Sequence, residues 1–328
     1  MNKNKNILLI GGAGYIGLVT ANYLISKGYK VSCLDSLIYS QKDCLDSFDS
    51  IKDFFIYGDV RSYDIKKILK NFDSVVILAG LVGDPITKKY PEQSEEINYF
   101  GIKKIIDACK NQKLKNLIFV STCSNYGFID NNITADENYK LNPISSYAKH
   151  KVEIEKYIMS LKNQVDYSPT ILRFATAFGL SQRMRFDLTI NQFTKDIAED
   201  KTLEVYDADT WRPYCHVIDF ARLIKTVLQA DKEKIHFEVY NAGSNENNFT
   251  KRQIVEEIIK IIPNKKITFV KGGVDARNYR VNFLKLNKKL NFTTKFSVPY
   301  GIKEIYNAIK FKKLGNELNK LGNFEINK

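Results

Sequence analysis

The stretch that decides the fold is ILLIGGAGYIGLVTANYLISKG, residues 7–28. An apolar run, a cluster of glycines and a helical pattern follow one another there, which predicts a β-strand, a tight turn and an α-helix. Gly11 allows the tight bend, Gly14 lets the backbone approach a pyrophosphate, and Gly17 lets the helix pack on the strand. Because a helix amino terminus attracts negative charge, this turn predicts a dinucleotide site. The alternative is a plain glycine turn.

An acidic residue follows at the distance that a dinucleotide site requires. Asp35 directly follows the second apolar run at residues 30–34, where its carboxylate is placed to accept hydrogen bonds from the adenosine ribose. The same negative charge would repel a 2′-phosphate, so we expect NAD rather than NADP. Asp59 comes after the third run, where it either meets the adenine or is a simple loop aspartate.

Apolar runs and helical patterns alternate along the first half of the chain. The runs indicate buried parallel strands, and they lie at residues 6–10, 30–34, 54–58, 74–80, 116–121 and 170–174. The helical patterns between them lie near residues 15–27, 62–70, 93–111 and 146–162. This alternation predicts an α/β protein with a Rossmann-type, doubly wound parallel sheet.

The second half of the chain has a mixed pattern. It predicts helices near 186–198 and 216–230, strands at 202–206 and 238–243, and a capping box at 250–253. We expect an NAD-binding domain over residues 1–175, to which 216–245 return. A smaller, intertwined substrate-binding domain would comprise residues 176–215 and 246–328.

Composition argues against several classes of protein. Of the 328 residues, 44% are hydrophobic and 27% are charged, which is typical of a globular protein with a sizeable core. No apolar run approaches the roughly 18 residues that span a bilayer, and no signal peptide is recognisable. We therefore expect a cytoplasmic protein with no membrane partner. The five cysteines are scattered, which favours reduced thiols and offers no metal-ligand spacing.

The net charge of +13 raises the question of nucleic acid as a partner. Its lysines are spread along the chain without a basic cluster, so we expect no nucleic-acid partner. A positive potential of this kind could instead attract a polyanionic small substrate.

Further motifs occur along nearly the whole chain: GxxGxxG, LAG (78–80), Asn98, STCSNYG (121–127), Tyr147 with Lys151, LRFATAFG (172–179), WRPYCHVID (211–219) and DARNYRV (275–281). With them the chain resembles the extended short-chain dehydrogenases/reductases, which include UDP-galactose 4-epimerase and the sugar-nucleotide dehydratases. The resemblance implies NAD as cofactor, a nucleotide-diphospho-sugar as substrate, and a homodimer formed through the helices near 93–111 and 146–162. It also implies cofactor contacts by Gly11, Gly14, Tyr15, Ile16, Gly17, Asp35, Asp59, Val60, Leu78, Ala79, Gly80, Tyr147, Lys151 and Phe174.

The catalytic pair of that family has the form YxxxK, which this lysine-rich chain contains five times. The other matches are Tyr23/Lys27, Tyr63/Lys67, Tyr99/Lys103 and Tyr306/Lys310. Only Tyr147 and Lys151 come after a strand that ends in hydroxyl residues, and their i, i+4 spacing puts both on one helix face. The resemblance implies that Tyr147 is the general base, that Lys151 lowers its pKa and holds the nicotinamide ribose, and that Thr122 hydrogen-bonds the sugar oxygen.

The stretch STCSNYG also raises the possibilities of a cysteine nucleophile and a metal site. We expect neither, because no motif places a histidine to activate Cys123 and the cysteines and histidines lack ligand spacing. Sugar-nucleotide 4,6-dehydratases carry an Asp-Glu pair directly after the threonine, where this chain has Cys123 and Ser124. Neither side chain is an effective acid or base at neutral pH. The resemblance therefore implies oxidation at C4 without loss of water.

The same resemblance suggests the substrate residues. Arg212 and Arg277 match arginines that bind the nucleotide diphosphate, the alternative being ordinary surface arginines. Asp84 either binds a sugar hydroxyl or begins an Asp-Pro turn, and Arg183 and Arg185 are each either a phosphate ligand or an oligomer contact. Thr176 stands where many relatives have a substrate-contacting asparagine. We predict substrate contacts by Asp84, Thr122, Thr176, Arg185, Arg212 and Arg277.

The sequence thus predicts an NAD-dependent enzyme that oxidises C4 of a nucleotide-diphospho-sugar. Our first hypothesis is a 4-epimerase in surface polysaccharide biosynthesis. The alternative is a 4-dehydrogenase, of a GDP-heptose for example, that releases the 4-keto sugar. A third reading is an NAD-sensing or RNA-associated protein without catalysis, and the intact Thr122, Tyr147 and Lys151 argue against it.

Overall fold

A computed structural model describes residues 6–39, 54–130, 132–273, 277–315 and 317–327. Its strands are β1 (Asn6–Ile10), β2 (Lys30–Asp35), β3 (Phe55–Tyr57), β4 (Ser74–Ile77), β5 (Asn116–Thr122), β6 (Thr134–Ala135), β7 (Ser168–Phe174), β8 (Thr176–Phe178), β9 (Leu203–Tyr206), β10 (Trp211–His216), β11 (Glu238–Ala242), β12 (Asn248–Thr250), β13 (Ile267–Val270) and β14 (Arg280–Val281). Its α-helices are α1 (Tyr15–Ser26), α2 (Lys66–Leu69), α3 (Asp84–Lys89), α4 (Pro91–Glu95), α5 (Ile102–Cys109), α6 (Ser146–Ser160), α7 (Thr189–Ala198), α8 (Val217–Gln229), α9 (Lys232–Ile235), α10 (Lys251–Ile261), α11 (Leu284–Leu290) and α12 (Val298–Lys310).

The largest sheet has seven parallel strands in the order β11-β7-β5-β4-β1-β2-β3. From β1 the chain builds outward through β2 and β3, then returns to the other side of β1 with β4. This reversal leaves a crevice outside the carboxyl ends of β1 and β4, which is where doubly wound proteins bind ligands. The predicted fold class is confirmed.

The central strand β1 shows why the sheet is covered on both faces. Ile7 and Leu9 pack into one hydrophobic core, and Leu8 and Ile10 pack into a second core on the opposite face. Alternate residues of a strand point to opposite faces, so a continuous apolar run requires helices on both sides. Helices α1 and α8 pack together on the first side.

The second half of the chain forms smaller sheets and also returns to the large one. Strand β10 pairs with β8 and β12, β9 pairs with β13, and β6 pairs with β14. Strand β11 joins the edge of the seven-stranded sheet in parallel with β7. The smaller part is therefore intertwined with the larger, while the residue bounds given above for the two domains stay a prediction.

Several predicted elements are shorter or more divided than the pattern suggested. The helix predicted near 62–70 is reduced to α2, and the strand predicted over 74–80 ends at Ile77, because the Leu78 and Ala79 amides both turn to the Ile10 carbonyl. The helix predicted near 93–111 is divided into α4, a π-helical segment (Glu96–Gly101) and α5.

The predicted capping box is confirmed at the start of α10. Thr250 Oγ1 accepts from the Gln253 amide at 3.2 Å, and Gln253 Oε1 accepts from the Thr250 amide at 2.9 Å. Of the cysteines, Cys44 lies outside the described residues; the others, Cys33, Cys109, Cys123 and Cys215, are buried free thiols. No helix in the described part of the chain is both long and apolar enough to cross a membrane.

Candidate active site

A cavity of about 650 Å³ lies at the carboxyl edge of the seven-stranded sheet. Turns that follow β1, β2, β4, β5 and β7 form one side of it, and segments of the second half form the other. Its walls contain every residue to which the sequence assigned a site role: Gly11, Gly14, Tyr15, Ile16, Gly17, Asp35, Asp59, Val60, Leu78, Ala79, Gly80, Asp84, Thr122, Tyr147, Lys151, Phe174, Thr176, Arg185, Arg212 and Arg277. Their individual roles stay predictions.

The glycine turn after β1 is too crowded for side chains at two positions. A Cβ on Gly11, whose φ is +84°, would lie 2.5 Å from the Ala79 nitrogen, and a Cβ on Gly17 would lie 2.4 Å from the Gly11 carbonyl oxygen. Only glycine fits such close packing at both positions, and at Gly11 it also allows the positive φ. The turn thus brings the first amides of α1 to the cavity, where they can bind phosphate oxygens.

Tyr15 joins the glycine turn to the second half of the molecule. Its hydroxyl donates to the Gly179 carbonyl at 2.7 Å and accepts from Asn191 Nδ2 at 3.0 Å. The Ser181 hydroxyl in turn donates to the Tyr15 carbonyl at 2.7 Å. The sequence had assigned Tyr15 to the cofactor alone. The structure adds that its hydroxyl holds the far wall of the cavity in place.

Asp35 is fixed at the end of β2 by backbone amides. Its Oδ2 accepts from the Ala13 amide at 3.0 Å, and its Oδ1 accepts from the Leu37 amide at 2.9 Å. Burial raises the pKa of Asp35, and these amides together with the Arg183 charge act against that rise. A carboxylate oxygen has a second lone pair, so the geometry remains compatible with a ribose hydroxyl.

Asp59 has a structural use in the loop after β3. Its carboxylate forms an ion pair with Arg61 at 2.8 Å, and Oδ1 accepts from the Arg61 amide at 2.8 Å. Burial opposes ionisation, but the hydrogen bonds and charge of Arg61 outweigh it, so the pKa of Asp59 is lowered. The carboxylate lies in the cavity wall, where the adenine contact stays a prediction.

Tyr147 and Lys151 lie one turn apart on α6, with their side chains buried beside β5. Ser145 caps this helix by accepting from the Ala148 amide at 3.3 Å. Lys151 is 2% exposed, and its Nζ donates to the Val120 carbonyl at 2.8 Å. The Nζ atom also lies 4.6 Å from the centre of the Phe119 ring and 5.8 Å from that of Tyr147.

Burial shifts the pKa of both members of this pair toward the neutral form. It lowers the pKa of Lys151 to about 7, although the Glu155 carboxylate acts in the opposite direction. It raises the pKa of Tyr147 above the usual range, and the Arg185 charge offsets this only in part. In the chain alone, burial dominates, and the Tyr147 pKa is not lowered by Lys151 as the sequence had led us to expect. Tyr147 needs a further positive charge nearby to act as a base at neutral pH.

The end of β5 presents Thr122 and Ser124 to the cavity. Thr122 caps a short 3₁₀ helix (Cys123–Tyr126) by accepting from the Ser124 amide at 3.1 Å, and the Ser124 hydroxyl lies 3.2 Å from that of Tyr279. Cys123 points the other way: its thiol is buried and donates to the Arg173 carbonyl at 3.1 Å. Burial raises the pKa of Cys123, which makes it a poor nucleophile.

Asp84 and Arg277 lie opposite each other and form an ion pair at 3.2 Å. The sequence gave them separate roles, toward a sugar hydroxyl and toward a diphosphate. Asp84 begins α3, as the Asp-Pro pattern suggested, yet its Oδ1 is buried and has no hydrogen-bond partner in the described part of the chain. That oxygen is an acceptor available to a ligand hydroxyl.

Two further arginines occupy the cavity wall with their side chains buried. Arg185 forms an ion pair with Asp187, with 3.1 Å between Nε and Oδ1, and donates to the Val82 carbonyl at 3.2 Å. Arg212 donates to the Trp211 carbonyl at 2.6 Å, and its guanidinium lies 5.1 Å from the centre of the Tyr279 ring. Both alternatives for Arg185, a phosphate ligand and an oligomer contact, stay predictions.

Sequence reasoning missed part of the cavity wall. Tyr279 was quoted within a motif without a role, and Arg183 was left between a phosphate ligand and an oligomer contact. Asn319, Asn323 and Phe324 also line the cavity, and no motif marks them.

Comparison with protein families agrees with this geometry. The family model described as the NAD dependent epimerase/dehydratase family matches residues 7–243. The chain belongs to this family. The match spans β1 to β11, and therefore the seven-stranded sheet and most of the cavity wall.

Family members with solved structures share the whole fold. UDP-glucuronic acid 4-epimerase from Bacillus cereus, in complex with UDP-glucuronic acid and NAD, is 26% identical with a TM-score of 0.84, covering 94% of this chain and 99% of that one. The dTDP-glucose 4,6-dehydratase from Bacillus anthracis, in complex with NAD, is 25% identical with a TM-score of 0.80, covering 94% and 98%. The chain is thus similar both to an epimerase and to a dehydratase, so similarity alone does not distinguish the two reactions.

A curated relative from Escherichia coli O157:H7 acts on a lipid-linked sugar. It is N-acetyl-α-D-glucosaminyl-diphospho-ditrans,octacis-undecaprenol 4-epimerase, 28% identical over 269 residues, which are 80% of this chain and 74% of the relative.

NAD is the cofactor of the family, and the cavity of this member fits it. Gly14 is the glycine of the turn with the most open surroundings, where a Cβ would meet only the Gly11 carbonyl oxygen at 3.4 Å, and its bare backbone in the cavity wall suits a pyrophosphate. Asp35 lies on one side for the adenosine ribose. Tyr147 and Lys151 lie on the other side, toward β5, where the nicotinamide ribose is expected.

Proposed function

We propose that this protein is a 4-epimerase of nucleotide-diphospho-sugars that serves surface polysaccharide biosynthesis. The observation that carries the proposal is the meeting of Thr122, Tyr147 and Lys151 in the cavity that also contains the glycine turn. The relative that acts on an undecaprenol-linked sugar supports the biosynthetic role.

In this proposal Tyr147 removes the proton of the C4 hydroxyl while the C4 hydrogen leaves as hydride. Bound NAD supplies the acceptor for this hydride and later its donor, and its positive ring favours the ionised form of Tyr147. Thr122 hydrogen-bonds the C4 oxygen, and Lys151, whose pKa burial lowers to about 7, holds the nicotinamide ribose. On the return step Tyr147 gives the proton back as the C4 oxygen again becomes a hydroxyl.

The arrangement of carboxylates supports a reaction without loss of water. Elimination needs a base at C5 and an acid at C6 of the sugar. Among the described residues of the cavity wall, Asp35 is bonded to amides, Asp59 to Arg61 and Asp187 to Arg185. Asp84 pairs with Arg277 through Oδ2, and its Oδ1 is left to accept from a sugar hydroxyl. The positions after Thr122, which carry acids in the dehydratases resembled, hold a buried thiol and a hydroxyl.

Epimerisation also requires the 4-keto sugar to turn over while the diphosphate stays bound. Arg212 and Arg277 on the far wall are suited to hold a diphosphate during that movement, because a guanidinium forms paired hydrogen bonds with phosphate oxygens. In the alternative, a 4-dehydrogenase, the keto sugar leaves and the reduced cofactor must be reoxidised elsewhere. We favour the epimerase because it needs no second substrate.

Mass spectrometry of products separates these reactions. The enzyme is offered GDP-, UDP- and dTDP-sugars, including a heptose, with deuterium at C4. A 4-epimerase gives a product of unchanged mass that elutes as a different sugar and retains the deuterium. A product lighter by the C4 deuterium and one proton would establish the dehydrogenase, and a product lighter by one water would show dehydratase chemistry. Tyr147→Phe is the control that should form none of them.

A further inference from the structure

A segment far from the motifs closes one side of the cavity. We call residues 317–327 the return segment, because after α12 they lead back to the large sheet. Asn319, Asn323 and Phe324 of this segment line the cavity. The return segment begins with Leu318 buried and with the Phe186 amide donating to the Leu321 carbonyl at 2.8 Å.

The middle of the return segment is attached beside the turn that follows β4. Asn323 Nδ2 donates to the Val82 carbonyl at 3.0 Å, and the Asn323 amide donates to Asp187 Oδ1 at 3.2 Å. Arg183 donates to the Gly322 carbonyl at 3.1 Å. Lys89 of α3 forms an ion pair with Glu325 at 2.9 Å.

The end of the return segment is attached to the turn that follows β2. The Asn327 amide donates to the Ile38 carbonyl at 2.7 Å, and Asn327 Nδ2 donates to the Leu37 carbonyl at 3.4 Å. Strand β1 lies between β2 and β4 in the sheet. Residues 323–327 therefore run across the carboxyl edge of β1, where the glycine turn faces the cavity.

This path coincides with the direction of a bound dinucleotide. The adenosine half belongs beside Asp35 at β2, and the nicotinamide half belongs past β4 and toward β5. A segment attached to the turns after β4 and β2 must lie over the part between them, which is the pyrophosphate and its riboses.

Asn323 adds an observation that itself indicates a ligand. Its side chain is 6% exposed, and its Nδ2 is used by Val82. Its Oδ1 is buried in the cavity wall and has no hydrogen-bond partner within the described ranges. Buried acceptors in folded proteins are normally satisfied, so a donor from a ligand is expected at this oxygen.

We propose that the return segment is the outer wall of the NAD site, with Asn323 Oδ1 accepting from a cofactor hydroxyl, and that it retains the cofactor between the two hydride transfers. The second part rests on the proposed epimerase function. An epimerase returns hydride from the same cofactor that received it, so loss of the cofactor between the steps would strand the keto sugar. Release requires the return segment to leave its attachments on both turns.

Two variants test the role of the return segment, and a third variant serves as a matched control. A chain that stops after Leu321 keeps the buried Leu318 and the Phe186–Leu321 hydrogen bond but lacks the crossing part. The double variant Asn323→Ala/Phe324→Ala keeps the full length and changes only side chains that line the cavity. Lys320→Ala alters an exposed residue of the same segment whose ion pair is with Glu317.

The measurements are the NAD released by heat from desalted protein and the rate of cofactor dissociation after dilution. Full-length protein should retain the cofactor. The shortened chain should release it at least about 10-fold faster, because several hydrogen bonds that oppose release are gone. The double variant should release it several-fold faster, and Lys320→Ala should behave as the unmodified chain. A shortened chain that is folded by circular dichroism and releases NAD at the unmodified rate would overturn the proposal, as would an unchanged rate in the double variant.

Turnover separates this proposal from that of the function. Given an active sugar, the shortened chain should accumulate reduced cofactor at 340 nm together with free keto sugar. If the full-length protein epimerises no sugar but NAD dissociation depends on the return segment, the proposal for the return segment is supported and the proposed function is wrong. If the full-length protein epimerises a sugar and the variants release NAD at the unmodified rate, the proposed function is supported and the proposal for the return segment is wrong.

Discussion

At the scale of single residues, burial is the main influence on the pKa values of the candidate catalytic pair. Tyr147 and Lys151 are both nearly inaccessible, and burial favours the neutral form of each. The YxxxK pattern alone could not single them out, since the chain contains it five times. Their position behind a strand that ends in hydroxyl residues did, because the carboxyl ends of parallel strands meet at one edge of the sheet.

Tyr147→Phe should abolish most activity while leaving the fold intact. The change removes one hydroxyl and little volume, and loss of a general base typically costs about 10²- to 10⁴-fold in rate. Initial rates with the active sugar would measure it. Tyr23→Phe, Tyr63→Phe, Tyr99→Phe and Tyr306→Phe are the matched controls and should keep near-normal rates. If Tyr147→Phe does so too, another pair is catalytic.

Lys151→Met should stabilise the protein in a pH-dependent way. A folded-state pKa of about 7 lies below the value of about 10.4 in an unfolded chain, so the unfolded state binds more protons between these values. The unmodified protein thus gains stability as pH rises through that range. The destabilisation caused by Lys151 is fully present below about pH 7. The cost is roughly 4 kcal/mol near pH 7 and roughly 2 kcal/mol near pH 9.

Denaturation of both proteins at pH 7 and pH 9 tests this. The advantage of Lys151→Met should fall by about 2 kcal/mol between the two pH values. This difference does not depend on the lost hydrogen bond to Val120. Lys149→Met, at an exposed position of the same helix, is the control and should show no such change. A pH-independent advantage would contradict the neutralised state of Lys151.

The Asp35 carboxylate should make the protein select NAD over NADP. It is held at the end of β2 by the Ala13 and Leu37 amides, where a 2′-phosphate would meet its negative charge. Calorimetric titration should give at least about 10-fold tighter binding of NAD, since a like charge at close range costs more than 1.4 kcal/mol at the effective dielectric of a protein surface. Asp35→Asn should reduce this preference. Equal binding of both cofactors to the unmodified protein would exclude the role given to Asp35.

At the scale of elements, buried apolar runs and capping patterns were readable from the sequence. Strands β1, β5 and β7 and the capping box of α10 lie where the local pattern put them. The local pattern did not predict the π-helical segment in the helix predicted near 93–111, where Asn98 bonds to the loop after β4. There, Asn98 Nδ2 donates to the Leu81 carbonyl at 3.0 Å, and Asn98 Oδ1 accepts from the Leu81 amide at 2.8 Å. π-Turns of this kind often occur near functional sites.

Asn98→Ala should destabilise the protein by about 2–3 kcal/mol, because it leaves both backbone groups of the buried Leu81 without their partner. Urea unfolding would measure the loss. Ser94→Ala is the control: it removes only the acceptor of a third Asn98 bond, at 3.2 Å, and should cost about 1 kcal/mol or less. Equal effects of the two variants would show that the Asn98–Leu81 bonds do not support this turn.

At the scale of the whole molecule, sequence reasoning found the cavity residues that belong to motifs. It missed those that only tertiary contacts bring to the cavity. Residues at the ends of β1, β2, β4, β5 and β7 converge because the sheet is parallel, so their assembly followed from the topology. Asn323 of the return segment reaches the same cavity through hydrogen bonds to Val82 and Asp187. Those partners are distant in sequence, and no periodicity or spacing encodes the contact.

The assembly of two chains is the remaining prediction, and it rests on the resemblance to dimeric relatives. The expected interface consists of the helices near 93–111 and α6, and there Phe100 is 57% exposed and Met159 is 39% exposed. Exposed aromatic side chains on a helical face are typical of residues that a partner covers.

Light scattering after size exclusion should give twice the 37.8 kDa of one chain. Phe100→Glu should weaken the dimer about 100-fold or more, because it buries an unpaired carboxylate. Phe311→Glu, at a residue 63% exposed directly after α12, is the control and should stay dimeric. A dimer insensitive to Phe100→Glu would move the interface to another surface, and a monomer at all concentrations would exclude it.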